Sequence, residues 1–224
     1  MRTSYPALLL CTAAWLAVGC AKDEPAPVDL GFDYFPTTVG RWIEYQVDSQ
    51  RVHIEGGDTA QLDLSYALRE VITEDFTDPE GRPAQRIIRY TRDTAGNWQP
   101  KDVWWQVREQ RHAEKTEENL RRVKLLFPPR EGEEWNTNAR NTADEFDLEY
   151  TAVDEAWSVN GLSFPNTVVV EGTYPNNFIF TKRYRERYAK GIGLVDREVD
   201  SVENQPGFSY DRWYLRQTVT SYGP

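Results

Sequence analysis

The 224-residue chain holds two cysteines and two histidines, which leaves few ligands or nucleophiles for metal and covalent chemistry. His53 and His112 have no cysteine, serine elbow or acidic partner at a recognisable spacing, and neither H-E-x-x-H nor G-x-S-x-G occurs. Asp75, Asp78 and Glu80 form an acidic loop without the regular oxygen spacing of an EF-hand, so it reads as a solvated turn. Glu133-Glu134 could in principle flank a glycosidic bond, but 36 acidic residues make one such pair uninformative. No catalytic residue, metal ligand or cofactor is therefore expected. The aromatic residues are the richer set. Trp104 and Trp105 are adjacent on an expected strand and so point to opposite faces, one buried, the other covering the outside or lining a cavity. They are the candidate binding surface.

Cys20 is the one residue with a specific covalent chemistry in view. Arg2, an apolar run from Ala7 to Val18, and the small residue Gly19 precede it. That run is too short to span a bilayer and sits where a signal peptide's apolar region sits. Ala17-Val18-Gly19-Cys20 resembles the lipobox of bacterial lipoproteins, with Leu16 four residues before the cysteine instead of three. The resemblance implies cleavage before Cys20, a diacylglyceryl group on its thiol and acylation of the new amine. Loss of residues 1–19 removes Cys11, so the remaining thiol has no disulfide partner within the chain. Two or three acyl chains hold a protein on a membrane where one does not, at about 0.8 kcal/mol per buried methylene. Lys22-Asp23-Glu24 resembles the export signal of surface lipoproteins in the Bacteroidota. Residues 20–34, with Glu24-Pro25-Ala26-Pro27, read as a flexible tether ahead of a single domain over 35–224.

Residues 1–19 contain one arginine and no acid, so the processed chain keeps 25 basic against 36 acidic residues, a net charge of −11. Such a body is repelled by nucleic acid and by anionic lipid surfaces, and nucleic acid is excluded as a partner. The expected attachment to a membrane is the N-terminal lipid alone.

The elements that position these residues are expected to be strands. Trp42–Val47, Leu62–Ile72, Arg86–Thr91, Val103–Arg108, Leu120–Phe127, Glu145–Val153, Thr167–Glu171, Phe178–Tyr188, Gly193–Val199 and Tyr210–Thr220 alternate apolar and polar residues or are rich in β-formers. Asp78-Pro79-Glu80-Gly81, Asp93 to Asn97, Asn160-Gly161 and Pro175-Asn176-Asn177 supply turns. Short turns between consecutive strands give antiparallel pairing. The expectation is a mainly β domain of roughly ten antiparallel strands forming a curved sheet or half-open barrel. Glu109 to Arg122 is charged throughout, with alternating sign, and accepts a helix or a protruding hairpin arm with a solvated face.

Two further stretches resemble uncharacterised Bacteroidota lipoproteins. Tyr34 to Tyr45 carries their P-x-x-x-G-x-W-x-x-Y opening, from Pro36 through Gly40 and Trp42. Tyr188-Ala189-Lys190-Gly191-Ile192-Gly193-Leu194-Val195 is similar to their Y-A-x-G-V-G-L-V element. The resemblance implies a β fold and an outer-membrane location, on the surface or the periplasmic face, and no reaction. Three functions follow as expectations: a non-catalytic binding or assembly module with an envelope protein partner, a carrier of an apolar ligand in a lipocalin-like or lipoprotein-carrier-like half barrel, and a glycan-active enzyme.

Overall fold

The computed structural model describes residues 28–174 and 179–224. Cys20, Lys22, Asp23 and Glu24 lie outside the described residues, as do Pro175-Asn176-Asn177 and Phe178.

Twelve strands form one antiparallel sheet among the described residues: β1 (Trp42–Glu55), β2 (Asp58–Thr77), β3 (Pro83–Arg92), β4 (Trp98–Arg108), β5 (His112–Glu117), β6 (Leu120–Leu126), β7 (Glu134–Asn136), β8 (Asp147–Val159), β9 (Leu162–Thr173), β10 (Phe180–Ala189), β11 (Gly193–Gln205) and β12 (Ser209–Gly223). Their order is β6-β5-β4-β3-β2-β1-β12-β11-β10-β9-β8-β7, a meander whose first and last strands pair in the middle of the sheet. The two edges, β6 and β7, curl toward one another. Val123 N–H donates to Thr137 O at 2.9 Å, and the Trp135 indole donates to Val123 O at 3.0 Å. Tyr150 Oη donates to Leu126 O at 2.7 Å and accepts from Leu126 N at 2.9 Å. These bonds nearly close the sheet into a barrel and occupy edge groups that would otherwise be free to pair elsewhere.

The expected turns appear with the geometry their residues favour. Asn160 and Gly161 both have positive φ, 51° and 78°, as a two-residue hairpin between β8 and β9 requires. Gly81 N–H donates to Asp78 O at 2.9 Å, closing the Asp78-Pro79-Glu80-Gly81 turn.

Two strands go beyond the roughly ten expected. β7 is only three residues long. β5 falls in the charged segment, and here the solvated-arm expectation is corrected. Residues 109–122 contain a hairpin, but Glu114, Lys115 and Thr116 are buried. Its charges tolerate burial because each meets an opposite one. Lys115 Nζ lies 2.8 Å from Glu70 Oε2, and Glu114 lies 2.8 Å from His112 Nε2 and 3.1 Å from Arg82 Nη2.

The packed body also reaches back past the expected boundary at Phe35. Phe32–Tyr34 form a 3-10 turn, and Tyr34 and Phe35 are both buried in the larger apolar cluster with Tyr188, Leu194, Phe127 and Leu148. Gly31 enters this turn at φ 72°, and a Cβ there would stand 2.7 Å from Pro129 Cδ. Arg108 holds the turn by donating to Phe32 O and Phe35 O, and Lys190 Nζ meets Asp29 at 2.6 Å. The chain thus enters at the barrel end that carries the β4–β5 and β10–β11 connections. This is the proximal end. The β1–β2, β5–β6 and β11–β12 turns mark the distal end.

Candidate functional site

Midway along the barrel, the interior carries charge where an apolar core would be usual. On β6, Lys124 is the unpaired extra residue where the register shifts against Ala113 and Glu114. A bulge of this kind re-aims side chains, and Lys124 turns into the barrel. Its Nζ donates to Glu186 Oε1 at 2.8 Å and to Tyr184 Oη at 2.7 Å, with Glu117 at 3.6 Å. Arg197 from β11 reaches both carboxylates at 2.6 Å, and Tyr188 Oη donates to Glu186 Oε2 at 2.6 Å. A second group lies across the lumen. Glu70 accepts from Arg89 Nε at 3.1 Å and from Lys115 Nζ at 2.8 Å, while Arg89 Nη1 also meets Asp102 at 2.9 Å.

Burial and counter-charge compete at each of these groups. Burial pushes the Glu70 and Glu186 carboxyls up, but the facing cations outweigh it and hold both below the ordinary range. Glu117 is held below the ordinary range in the same way, with Arg197 and Lys124 outweighing its burial. Burial drives Lys124 down despite Glu117 and Glu186, and it raises the phenols of Tyr45, Tyr184 and Tyr188, which therefore stay neutral donors.

Above this floor, toward the distal end, lies a cavity of about 530 Å³. Its walls come from β1 to β6 and β10 to β12, with Leu62, Leu64, Tyr66, Trp104, Leu120, Val199, Trp213 and Leu215 in the apolar part. Arg51, Arg89, Lys101, Arg122, Lys182 and Arg197 face it, against the carboxylates Glu117 and Glu118.

The structure separates the two tryptophans singled out in the sequence. Trp104 is buried and lines the cavity, with the Arg89 guanidinium 3.7 Å and Lys115 Nζ 5.3 Å from its ring centroid. Its Nε1 donates to Glu118 at 3.2 Å. Trp105 is half-buried on the opposite face, edge-on to Phe76 at 6.1 Å. The cationic lining is the part that sequence reasoning missed.

The remaining sequence candidates stay apart from this cavity. His53 pairs with Asp211 at 2.6 Å near the distal turns, whereas His112 pairs with Glu114 toward the proximal end. Asp78 Oδ1 accepts from the Glu80 and Arg82 amides, so the acidic loop is organised as a turn. Glu133 and Glu134 do not line the cavity. Among the described residues, no group of three or more His, Cys, Asp or Glu is placed to hold a metal ion. No described helix is long and apolar enough to cross a membrane. The site can bind and orient a ligand by charge, hydrogen bonds and ring stacking.

No family model and no curated protein matches the chain. Among solved structures, it is similar to a protein described as exported, with a YmcC-like fold, from Bacteroides fragilis: 13% identity, TM-score 0.45, 85% of this chain and 98% of that one. A protein described as a lipoprotein from Parabacteroides distasonis is similar at 13% identity and TM-score 0.44, over 85% of this chain and 98% of that one. An S-type phycobiliprotein lyase from Guillardia theta aligns at 11% identity and TM-score 0.29, over 87% and 99%.

Proposed function

We propose that this protein is a lipid-anchored, non-catalytic binding module of the cell envelope, which receives a small ligand in the distal cavity of its barrel. The observation that carries the reading is the cavity itself: about 530 Å³, within the range of small-molecule sites, with aromatic walls and a few convergent charges. The position of the chain entry supports the anchoring half. From Cys20 to Asp29 the chain can reach at most about 30 Å at roughly 3.3–3.6 Å per residue. It joins the barrel at the proximal end, so an acyl anchor on Cys20 would leave the distal cavity facing away from its own attachment point. A carrier would use the same cavity for cargo, and the envelope protein partner of the assembly reading would meet the distal rim.

The anchor is tested by comparing the native protein with Cys20→Ser in fractionated cells, with intact-mass analysis of the native N-terminus. The expected result is an acylated residue 20 in the membrane fraction and loss of membrane retention in the variant. A variant that stays in the membrane, or a native N-terminus without lipid, would overturn this half of the reading.

A further inference from the structure

The walls of the cavity hold cations without counter-charges. Along β10, Glu186 and Tyr184 belong to the floor network, and Lys182 is the next residue up on the same face. Along β6, Lys124 belongs to the floor, and Arg122 is the cavity-lining residue above it. Lys124 is neutralised by Glu186 and Glu117. The upper pair is not: among the described residues, neither Arg122 nor Lys182 has a carboxylate within ion-pair distance. Arg122 Nη1 reaches only Asn138 Oδ1, at 3.3 Å, and Lys182 Nζ lies 5.0 Å from the Phe146 ring centroid.

The two carboxylates of the cavity do not fill the gap. Glu117 is held by Arg197 and Lys124, and Glu118 sits exposed on the β5–β6 turn, accepting from Trp104. Half-buried like charges are costly without an anion between them. Burial, and then the Arg122 and Lys124 charges, hold the Lys182 ammonium below its usual range. Beyond the pair, the wall turns apolar at Leu215, Trp213 and Leu64, the last of these 48% exposed at the rim. Arg51 also faces the cavity at this level, paired across the strands with Trp213, so the outer wall is mixed and the unpaired Arg122 and Lys182 lie deeper than it.

We propose that the cavity binds an amphiphile by its acidic head, a carboxylate or phosphate seated between Arg122 and Lys182, with the apolar body laid along Leu215, Trp213 and Leu64. This inference rests on the binding-module reading and names the class of ligand for that same site. A charge-assisted contact to a guanidinium and an ammonium fixes the head, and the aromatic wall excludes water from the body.

The test uses the mature chain from residue 20 onward with Cys20→Ser, purified without detergent. It is titrated with laurate, dodecyl phosphate, dodecanol and inorganic phosphate, read by tryptophan fluorescence and calorimetry. Laurate and dodecyl phosphate should each bind at least about tenfold more tightly than dodecanol or inorganic phosphate, a difference of about 1.4 kcal/mol. Arg122→Gln with Lys182→Gln should abolish that advantage, leave dodecanol binding unchanged and hold or raise the thermal stability of the ligand-free protein, because it removes like charges that have no partner. Arg183→Gln, at an exposed position on the other face of β10, should change nothing. Equal binding of dodecanol and the acids, or acid binding insensitive to the double substitution, would overturn the anionic-head assignment while leaving the cavity as a site. Inorganic phosphate binding as tightly as dodecyl phosphate would overturn the amphiphile. No binding of any of the four would overturn the binding-module reading along with the inference.

Discussion

The proximal and distal parts of the barrel are built from the same strands but from opposite chemistry. At the proximal end, Tyr34, Phe35, Tyr188, Leu194 and Leu148 pack ring against aliphatic chain, each less than a tenth exposed. Further along, Glu70, Glu186, Lys124 and Arg197 face one another across the lumen, and beyond them lies the cavity. Apolar packing of the proximal kind contributes roughly 25 cal/mol per Å² of surface removed from water. Buried ion pairs contribute little net, because desolvation offsets much of the attraction. On the proposed function, the difference assigns stability to this proximal plug and recognition to the charged lumen. It also explains why the lumen stays open, since long, hydrogen-bonded side chains hold the walls apart where apolar ones would close on each other.

The largest expected effect comes from unbalancing the floor. Lys124→Met removes a cation 1% exposed and leaves Glu117 and Glu186 sharing Arg197. Breaking a buried pair in this way costs about 3–5 kcal/mol, measurable by urea unfolding at pH 7. Lys124→Met with Glu117→Gln should recover most of the loss, because the remaining Arg197–Glu186 pair is balanced. The single-variant penalty should also shrink at pH 4, where the surplus carboxylate takes up a proton. A penalty independent of pH would mean that lost packing, not charge, is what the substitution removes, and the contrast between the two ends would fail.

Acid sharpens the same contrast. At Glu114, burial raises the pKa, but hydrogen bonds from His112 and Arg82 and the Arg82 charge bring it down from 4.5 to about 2. A carboxyl depressed on folding stabilises the native state above its unfolded value and loses that contribution as pH falls through the folded one. Stability should therefore decline between about pH 4.5 and pH 2, with Glu114 contributing up to about 3 kcal/mol. Glu70, Glu117 and Glu186 add to the loss in the same direction. Leu148→Ala in the plug, about 2–5 kcal/mol destabilising by cavity formation, should cost the same at pH 7 and pH 4. Urea titrations of Glu114→Gln should give a shallower acid slope than the native protein; an identical slope would assign the acid sensitivity elsewhere.

The plug was more legible in the sequence than the lumen. The alternation in Trp42–Val47 and the turn chemistry of Asn160-Gly161 point to the strands and hairpins that form, because both signals are local. Glu109 to Arg122 misleads for a physical reason. A run of alternating charges says that both strand faces are polar, not that both are wet, and the partners that make burial tolerable come from distant strands. Lys115 meets Glu70 of β2, and Glu117 meets Arg197 of β11. The turn between β5 and β6 is also disguised, since Glu118 and Asn119 adopt φ of 49° and 64° without a glycine. At Lys124 the bulge breaks the period of two itself, so no reading by alternation places that side chain in the barrel. Trp104 was visible as a residue, but its place between Arg89 and Lys115 depends on the register of β4 against β3 and β5, which local alternation does not fix.

The smallest effect tests the seam on which closure rests. Tyr150 is fully buried, and its hydroxyl both donates to Leu126 O and accepts from Leu126 N. Leu126 is an edge residue of β6, so this phenol stands where the next strand would be. Burial raises the phenol's pKa well above its ordinary value, which keeps it a neutral donor and acceptor across the working pH range. Tyr150→Phe keeps the ring in contact with Trp135, whose centroid is 4.8 Å away, and removes only the oxygen. Leu126 then loses both backbone partners at once, for a cost of about 1–3 kcal/mol. Hydrogen exchange should quicken at Leu126 and Val123, the residues that bind the seam, and stay unchanged in β1 and β12 at the centre of the sheet. Laurate affinity should be unaltered, because the seam bond lies among plug residues and not in the cavity wall. Weakened laurate binding in this variant would show that the two ends are coupled, and the division of stability from recognition would have to be abandoned.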